Sequence, residues 1–254
     1  MLQATSITLR EGFEAALVIG IMLTYASRTG RSYLRAPILW GAVAAVAVSM
    51  LVGLGLNAAG IAAENEAVEG VLYVVASLFV FSMVAWMWRA GGAAHERITS
   101  GVDRATSESA AASWGVAVVA FFMVAREGAE TVLFITANAL DQGLVPTIIG
   151  GAIGLGIAFA LGAAVYFGAA RIDFKLFFGA TSVALILLAT RFLGLGLLEL
   201  AEAGVLMLPE AVEEWLELLE AGGLSTVVSL LVVGLPLGAL GWSLIHSRPT
   251  RPAL

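Results

Sequence analysis

The sequence contains no cysteine, which excludes disulfides and every thiolate metal site. It has two histidines, His95 and His246, and neither lies inside a long apolar run. Charge is scarce as well: 13% of residues are Asp, Glu, Lys or Arg, about half the share in an average soluble domain. Basic residues are the rarer sign, 13 against 19 acidic, for a net charge of −6. They stand singly rather than in a patch, which makes nucleic acid an unsuitable partner. The amino terminus lacks the basic region of a cleavable signal, so its apolar run reads as a retained first span.

What fills the chain instead is apolar. Hydrophobic residues make up 60% of the 254, and the mean hydropathy is +0.96. Seven runs are long enough to cross a bilayer at roughly 20 residues each: about 4–27, 38–60, 69–88, 114–139, 146–169, 176–198 and 223–245. Little is left for a soluble domain. The expected fold is therefore all-α, a single polytopic membrane domain over 1–254, in a cell (plasma or inner) membrane.

The basic residues set the orientation. Arg28, Arg31 and Arg35 follow the first span, Arg89, Arg97 and Arg104 the third, Arg171 and Lys175 the fifth, and Arg248 and Arg251 the seventh. The opposite side carries Glu64, Glu66, Glu69, Asp141 and the acidic stretch from Glu199 to Glu220. The amino terminus is thus expected outside and the carboxyl terminus in the cytoplasm. An acidic outer surface repels anions and concentrates cations.

Inside the first span stands Arg10-Glu11-Gly12-Phe13-Glu14, and inside the fourth Arg126-Glu127-Gly128-Ala129-Glu130. At about 100° per residue, Arg10, Glu14 and Glu11 lie at about 0°, 40° and 100° of one helix, with Gly12 on the opposite side. Charges in lipid are costly and face a bundle interior or a watery path. An Arg–Glu pair at i,i+4 could merely pin two helices. That reading leaves unexplained the second glutamate of each motif and the repetition of the cluster.

The motifs are 116 residues apart, and the same offset aligns Ala15–Tyr25 with Thr131–Asp141. Three spans separate the two, so the second unit enters the membrane inverted. The expectation is two inverted three-helix repeats, about 1–88 and 114–198, plus an extra carboxyl-terminal helix, about 223–245. In such transporters the site lies near the midplane at the repeat interface.

Four carboxylates and two guanidinium groups sum to −2 when all are ionised. Carboxylate oxygens suit hard cations and also accept ferrous iron. Glu11, Glu14, Glu127 and Glu130 are the candidate metal ligands, and Arg10 and Arg126 the residues that keep them anionic. The same carboxylates could hold two irons in a membrane oxidoreductase. Di-iron bundles add histidine at Glu-x-x-His spacing, and no predicted span contains one.

In these residues the chain resembles the iron permease family: the membrane subunit of oxidase-dependent iron uptake in fungi and the Efe-type permeases of bacteria. The resemblance covers span count, orientation and both R-E-G-x-E motifs. It implies a transporter, not an enzyme, with iron (ferric or ferrous) as the ion carried into the cytoplasm and no permanently bound cofactor. It assigns ion binding to Glu11, Glu14, Glu127 and Glu130, with Arg10 and Arg126 as the motif arginines. By position it nominates Glu64, Glu66, Glu69, Glu199 and Glu202 as outer metal-collecting residues. The chain has no fused iron-binding or cupredoxin-like domain, so a ferroxidase, peroxidase or periplasmic iron-delivery protein would be a separate partner. Lead or manganese could use the same ligands.

The remaining features read more simply. Glycines within spans, including Gly194 and Gly196, suit tight helix packing. Met83, Trp86, Met87 and Trp88 read as packing and interfacial anchoring. The stretch 209–222 reads as an amphipathic helix on the outer leaflet, and 90–113 as a polar cytoplasmic linker containing His95.

Overall fold

A computed structural model describes residues 1–58, 65–90, 99–103, 112–168, 173–209, 211, 212, 214, 216 and 223–246. The long helices are α1 (Leu2–Arg28), α2 (Arg35–Ala58), α3 (Glu66–Ala90), α4 (Ala112–Gln142), α5 (Leu144–Tyr166), α6 (Phe174–Glu202) and α7 (Gly223–His246), with a short 3-10 turn at Ser32–Leu34 before α2. No strand occurs among the described residues. The expected spans fall on these helices, shifted by a few residues at their ends. The linker around His95, Glu64 and most of 209–222 lie outside the described residues.

Helix ends follow local chemistry. Asn65 caps α3, its side-chain oxygen accepting from the Ala67 and Val68 amides at 3.0 and 3.3 Å. Asp173 caps α6 by accepting from the Leu176 amide at 3.1 Å. Both satisfy amides that a helix start leaves unpaired. Between α4 and α5 the chain turns on one residue, Gly143, at a φ of 82° that L side chains rarely adopt.

Among the described residues, four stretches are long and apolar enough to cross a membrane: Ser32–Leu56, Glu66–Ala85, Leu144–Tyr166 and Lys175–Glu202. The motif-bearing helices α1 and α4 are longer than a span but are interrupted by their own charges, and α7 offers a shorter apolar run, Leu230–Ser243. The outer surface is that of a protein in lipid: Trp40, Met50, Leu51, Phe122 and Phe159 are each at least 60% exposed.

The helices pack in pairs: α1 along α5, α2 along α4, and α3 along α6, while α1 crosses α4 in the centre. Helix α7 lies against α6 and α1. The pairs group into a core of α1, α2, α4 and α5 and a panel of α3, α6 and α7, which two apolar clusters pack together. Glycine makes the core pairs close. A Cβ at Gly41 would stand 2.2 Å from the Ala117 carbonyl oxygen on α4, and one at Gly150 would stand 2.1 Å from the Met1 carbonyl oxygen beside α1. Such approaches replace side-chain burial as the source of helix association in lipid.

At the carboxyl-terminal end of α1, an apolar cluster of Met22, Ala26, Leu34, Ile38, Val102, Val116 and Ala120 seals the core. Val102 comes from the segment 99–103. Tyr25 donates to Asp103 at 2.7 Å and Arg31 donates to it at 3.1 Å, tying that segment down. The Tyr25 hydroxyl, with help from Arg31, holds the Asp103 carboxyl below the usual aspartate range.

Candidate functional site

Where α1 crosses α4, the two motifs meet. Arg10 and Glu11 are each 1% exposed, Glu130 2% and Glu127 8%. Arg10 uses both ends of its guanidinium, reaching Glu11 at 2.5 Å and Glu14 at 3.0 Å. Arg126 Nε donates to Glu130 at 3.0 Å. The i,i+4 pairs foreseen in the motif therefore form, and Arg10 also holds the second glutamate of its own motif.

Three of the four carboxylates converge. Glu11, Glu14 and Glu127 each offer an oxygen within 4.8 Å of the others. The centre of an equilateral triangle of that side lies about 2.8 Å from each corner, so small side-chain movements would bring all three to bonds of about 2.0–2.2 Å to a first-row divalent ion. Glu130 is not in this group; its carboxylate sits beside Arg126 and within electrostatic reach of Glu11 and Glu127. The second oxygens of Glu11, Glu127 and Glu130 are buried and accept no hydrogen bond among the described residues. Buried carboxylate oxygens without donors are costly, and a cation is the partner that their chemistry calls for.

The glycine of each motif works on the opposite side of its helix. A Cβ at Gly12 would come 2.9 Å from Leu155 Cδ1 and 3.0 Å from Ala158 Cβ on α5; one at Gly128 would come 2.0 Å from Ser49 Oγ and 2.8 Å from its Cβ on α2. R-E-G-x-E thus combines a charged inner face with a bare outer face that lets a neighbouring helix press against it.

A cavity of about 560 Å³ opens between α1, α2, α4 and α5, with Glu11 and Glu127 in its wall. It begins beside Ala15, Val46 and Val124, just past the motifs, and extends by Leu56 and Leu140 to Leu144 at the α4–α5 turn. In the other direction lies the apolar seal containing Val102.

The nominated outer residues stand apart from this triad. Glu66 is exposed in the first turn of α3, Glu69 is half-buried one turn on, Glu199 is half-buried near the end of α6, and Glu202 is exposed at that end. Glu69 and Glu199 both lie in the electrostatic neighbourhood of Tyr73.

Sequence reasoning missed three features. Arg191 on α6 binds Asp141 on α4 through two parallel contacts, one of 2.7 Å between Nη2 and Oδ1 and a second between Nη1 and Oδ2. Met83, expected as packing, is buried with its sulfur 3.8 Å from Arg10 Nη1. Asn138 donates to Gln3 at 2.8 Å and accepts from Thr147 at 3.0 Å, joining the ends of α1, α4 and α5. A lone arginine in an apolar helix and an aspartate closing another were the available signals for the first; nothing in the linear order pairs them.

The buried carboxylates of Glu11 and Glu127 thus stand in the wall of a cavity inside a bundle of long apolar helices. The chain belongs to the iron permease FTR1 family, whose profile matches residues 1–225. It is 29% identical over 202 residues to the ferrous iron permease EfeU of Yersinia pestis, covering 78% of this chain and 72% of that protein. With EfeU of Escherichia coli O6:H1 it shares 31% over 203 residues, 78% of this chain and 73% of the other. An uncharacterized protein of Archaeoglobus fulgidus is 34% identical over 199 residues, 77% and 69% of the two chains. No solved structure matches it.

Proposed function

We propose that this permease carries iron across the cell membrane into the cytoplasm, binding it between Glu11, Glu14 and Glu127 with Glu130 as a fourth, nearby carboxylate. The observation that carries this reading is the triad itself: three carboxylate oxygens within 4.8 Å, beside buried oxygens with no hydrogen-bond donor. With Arg10 and Arg126 the four carboxylates sum to −2, which one ferrous ion neutralises. Two relatives are named as ferrous iron permeases, and that name supports the ferrous reading here, which the charge arithmetic alone does not decide. A ferroxidase, peroxidase or periplasmic iron-delivery protein is the partner class this reading implies.

The architecture we infer has seven spans, the amino terminus outside and the carboxyl terminus in the cytoplasm, with repeats at about 1–88 and 114–198 and α7 as the extra helix. Its support is a packing equivalence. Shifting α1 by 116 residues onto α4 and α2 by 109 onto α5 turns the α1–α5 pair into the α4–α2 pair. The Gly12–Ala158 approach then maps on Gly128–Ser49, and Met1–Gly150 on Ala117–Gly41. In this orientation the cavity leads from the outside to Glu11 and Glu127, and the Val102 cluster closes the cytoplasmic side. Transport then requires the two bodies to rock so that the seal opens, the expected behaviour of inverted repeats.

The test is uptake by proteoliposomes loaded with an iron-sensitive dye, run with ferrous iron under ascorbate, ferric citrate, manganese and lead. Ferrous accumulation above empty vesicles, abolished by Glu11→Gln, is the expected result. Accumulation of manganese or lead without iron would transfer the site to another cation.

A further inference from the structure

The buried charges that this account of the site leaves unused are Asp141 and Arg191, whose side chains are 7% and 14% exposed. Asp141 lies 14 residues beyond Glu127 on the same helix, about 21 Å at 1.5 Å per residue. It is too far to ligate an ion held by the triad. The pair joins α4 of the core to α6 of the panel. The rest of the contact between the two groups is apolar: Ile7, Phe134 and Ala137 of the core pack in one cluster with side chains of α3, α6 and α7, and Phe13 packs on Phe177 of α6. The panel also touches the site: Met83 of α3 lies against Arg10 of α1, which holds Glu11 and Glu14. A shift of the panel therefore acts directly on the guanidinium that positions two of the three ligands.

A buried ion pair is weak evidence for stability, because desolvating both partners offsets their attraction and apolar residues of similar size often serve as well. What a bidentate Arg–carboxylate pair supplies is direction: two parallel bonds that are made together and lost together. That suits a joint between bodies that change position, where an apolar contact would slide. The surroundings fit. Tyr73 of α3 lies in the electrostatic neighbourhood of both partners and also of Glu69 and Glu199, so a polar side chain stands beside the pair.

We propose that the Asp141–Arg191 pair is a releasable latch between the α1–α2–α4–α5 core and the α3–α6–α7 panel, needed for turnover and not for metal binding. Both are positioning residues. The proposal rests on the reading of the Glu11–Glu14–Glu127 triad as the ion site and on relative motion of the two bodies.

The absence of native cysteine makes the test clean. Asp141→Cys with Arg191→Cys provides two thiols and no others, which a bis-methanethiosulfonate reagent can bridge in proteoliposomes, with bridging measured by mass spectrometry. Ferrous binding is expected to stay within about twofold of the unbridged protein while uptake falls by about tenfold or more, recovering with dithiothreitol, because a locked joint blocks a gating step. Unchanged uptake in fully bridged protein overturns the latch. Should the thiols not bridge, the double variant Asp141→Asn/Arg191→Gln decides, since it leaves neither charge buried alone. A latch predicts a kcat changed by about threefold or more with the metal Kd unchanged; a static strut predicts lower thermal stability with kcat and Kd both as in the wild type, and that result overturns the proposal. Glu127→Gln, run in the same vesicles, tests the underlying site separately: if it binds and transports normally, the triad reading fails whatever the latch does.

Discussion

Replacing Glu127 by glutamine changes one atom's chemistry and almost no volume, so its effect isolates charge. In the wild type, three oxygens within 4.8 Å of one another surround a point about 2.8 Å from each, in a site buried at 8% exposure or less for Glu11 and Glu127. Two unit charges about 4 Å apart attract by about 4 kcal/mol at an effective dielectric constant of about 20, and a divalent ion doubles that. Most of it is offset by desolvating the ion, and the amide oxygen remains a neutral ligand. If only about a quarter survives as net binding, some 2 kcal/mol, the affinity falls about thirtyfold. The assay is equilibrium binding of ferrous iron to purified protein in detergent under anaerobic conditions. A Kd within about twofold of the wild type would refute the reasoning, because a carboxylate that contributes nothing to affinity cannot be a ligand.

Further consequences follow from the packing and the charges. Gly154→Ala would drive a Cβ to 2.2 Å from the Thr5 carbonyl oxygen, which is backbone and cannot turn aside; a loss of about 1–3 kcal/mol or more is expected, read as a lower melting temperature in detergent. Gly128→Ala meets Ser49 at 2.0 Å from Oγ and 2.8 Å from Cβ, and should lower uptake while Gly128→Ala/Ser49→Gly restores part of it, as judged by vesicle assays. Metal binding requires ionised carboxylates, so affinity should fall as pH drops and each bound ion should release protons on uptake, measurable with a pH dye in weak buffer. The Tyr25–Asp103–Arg31 tie depends on an aspartate whose carboxyl is held below its ordinary value. It is present at neutral pH and is lost only as pH falls through that lowered value, visible as faster amide exchange in residues 99–103.

Much of the molecule could be read from residue order because lipid imposes strong rules. Long apolar runs become helices, and their ends moved by only a few residues between expectation and structure. The motif was legible because 100° steps put Arg10, Glu11 and Glu14 on one side and Gly12 on the other, and Gly12 does press on Leu155 and Ala158. The inequality of the two motifs was not legible. Arg10 is enclosed by the panel and braces two glutamates, whereas Arg126, on the helix face that carries exposed Phe122, is 46% exposed. Both arginines have the same local sequence; what differs is which helices lie against them, and that is decided by tertiary packing. For the same reason the repeat alone suggested four equivalent carboxylates, while in the structure three converge and Glu130 turns to Arg126. The Asp141–Arg191 bond spans 50 residues and two bodies, beyond the reach of any local pattern.

The central claim is that Glu11, Glu14 and Glu127 hold the transported ion together. Crystals or vitrified particles prepared with ferrous iron, or with manganese as a redox-stable stand-in, and examined for metal density, test it most directly. The expected result is one strong metal peak within bonding distance of an oxygen from each of the three carboxylates, lost in Glu127→Gln. Metal bound elsewhere in the bundle, with these three carboxylates still joined only to arginine, would contradict it.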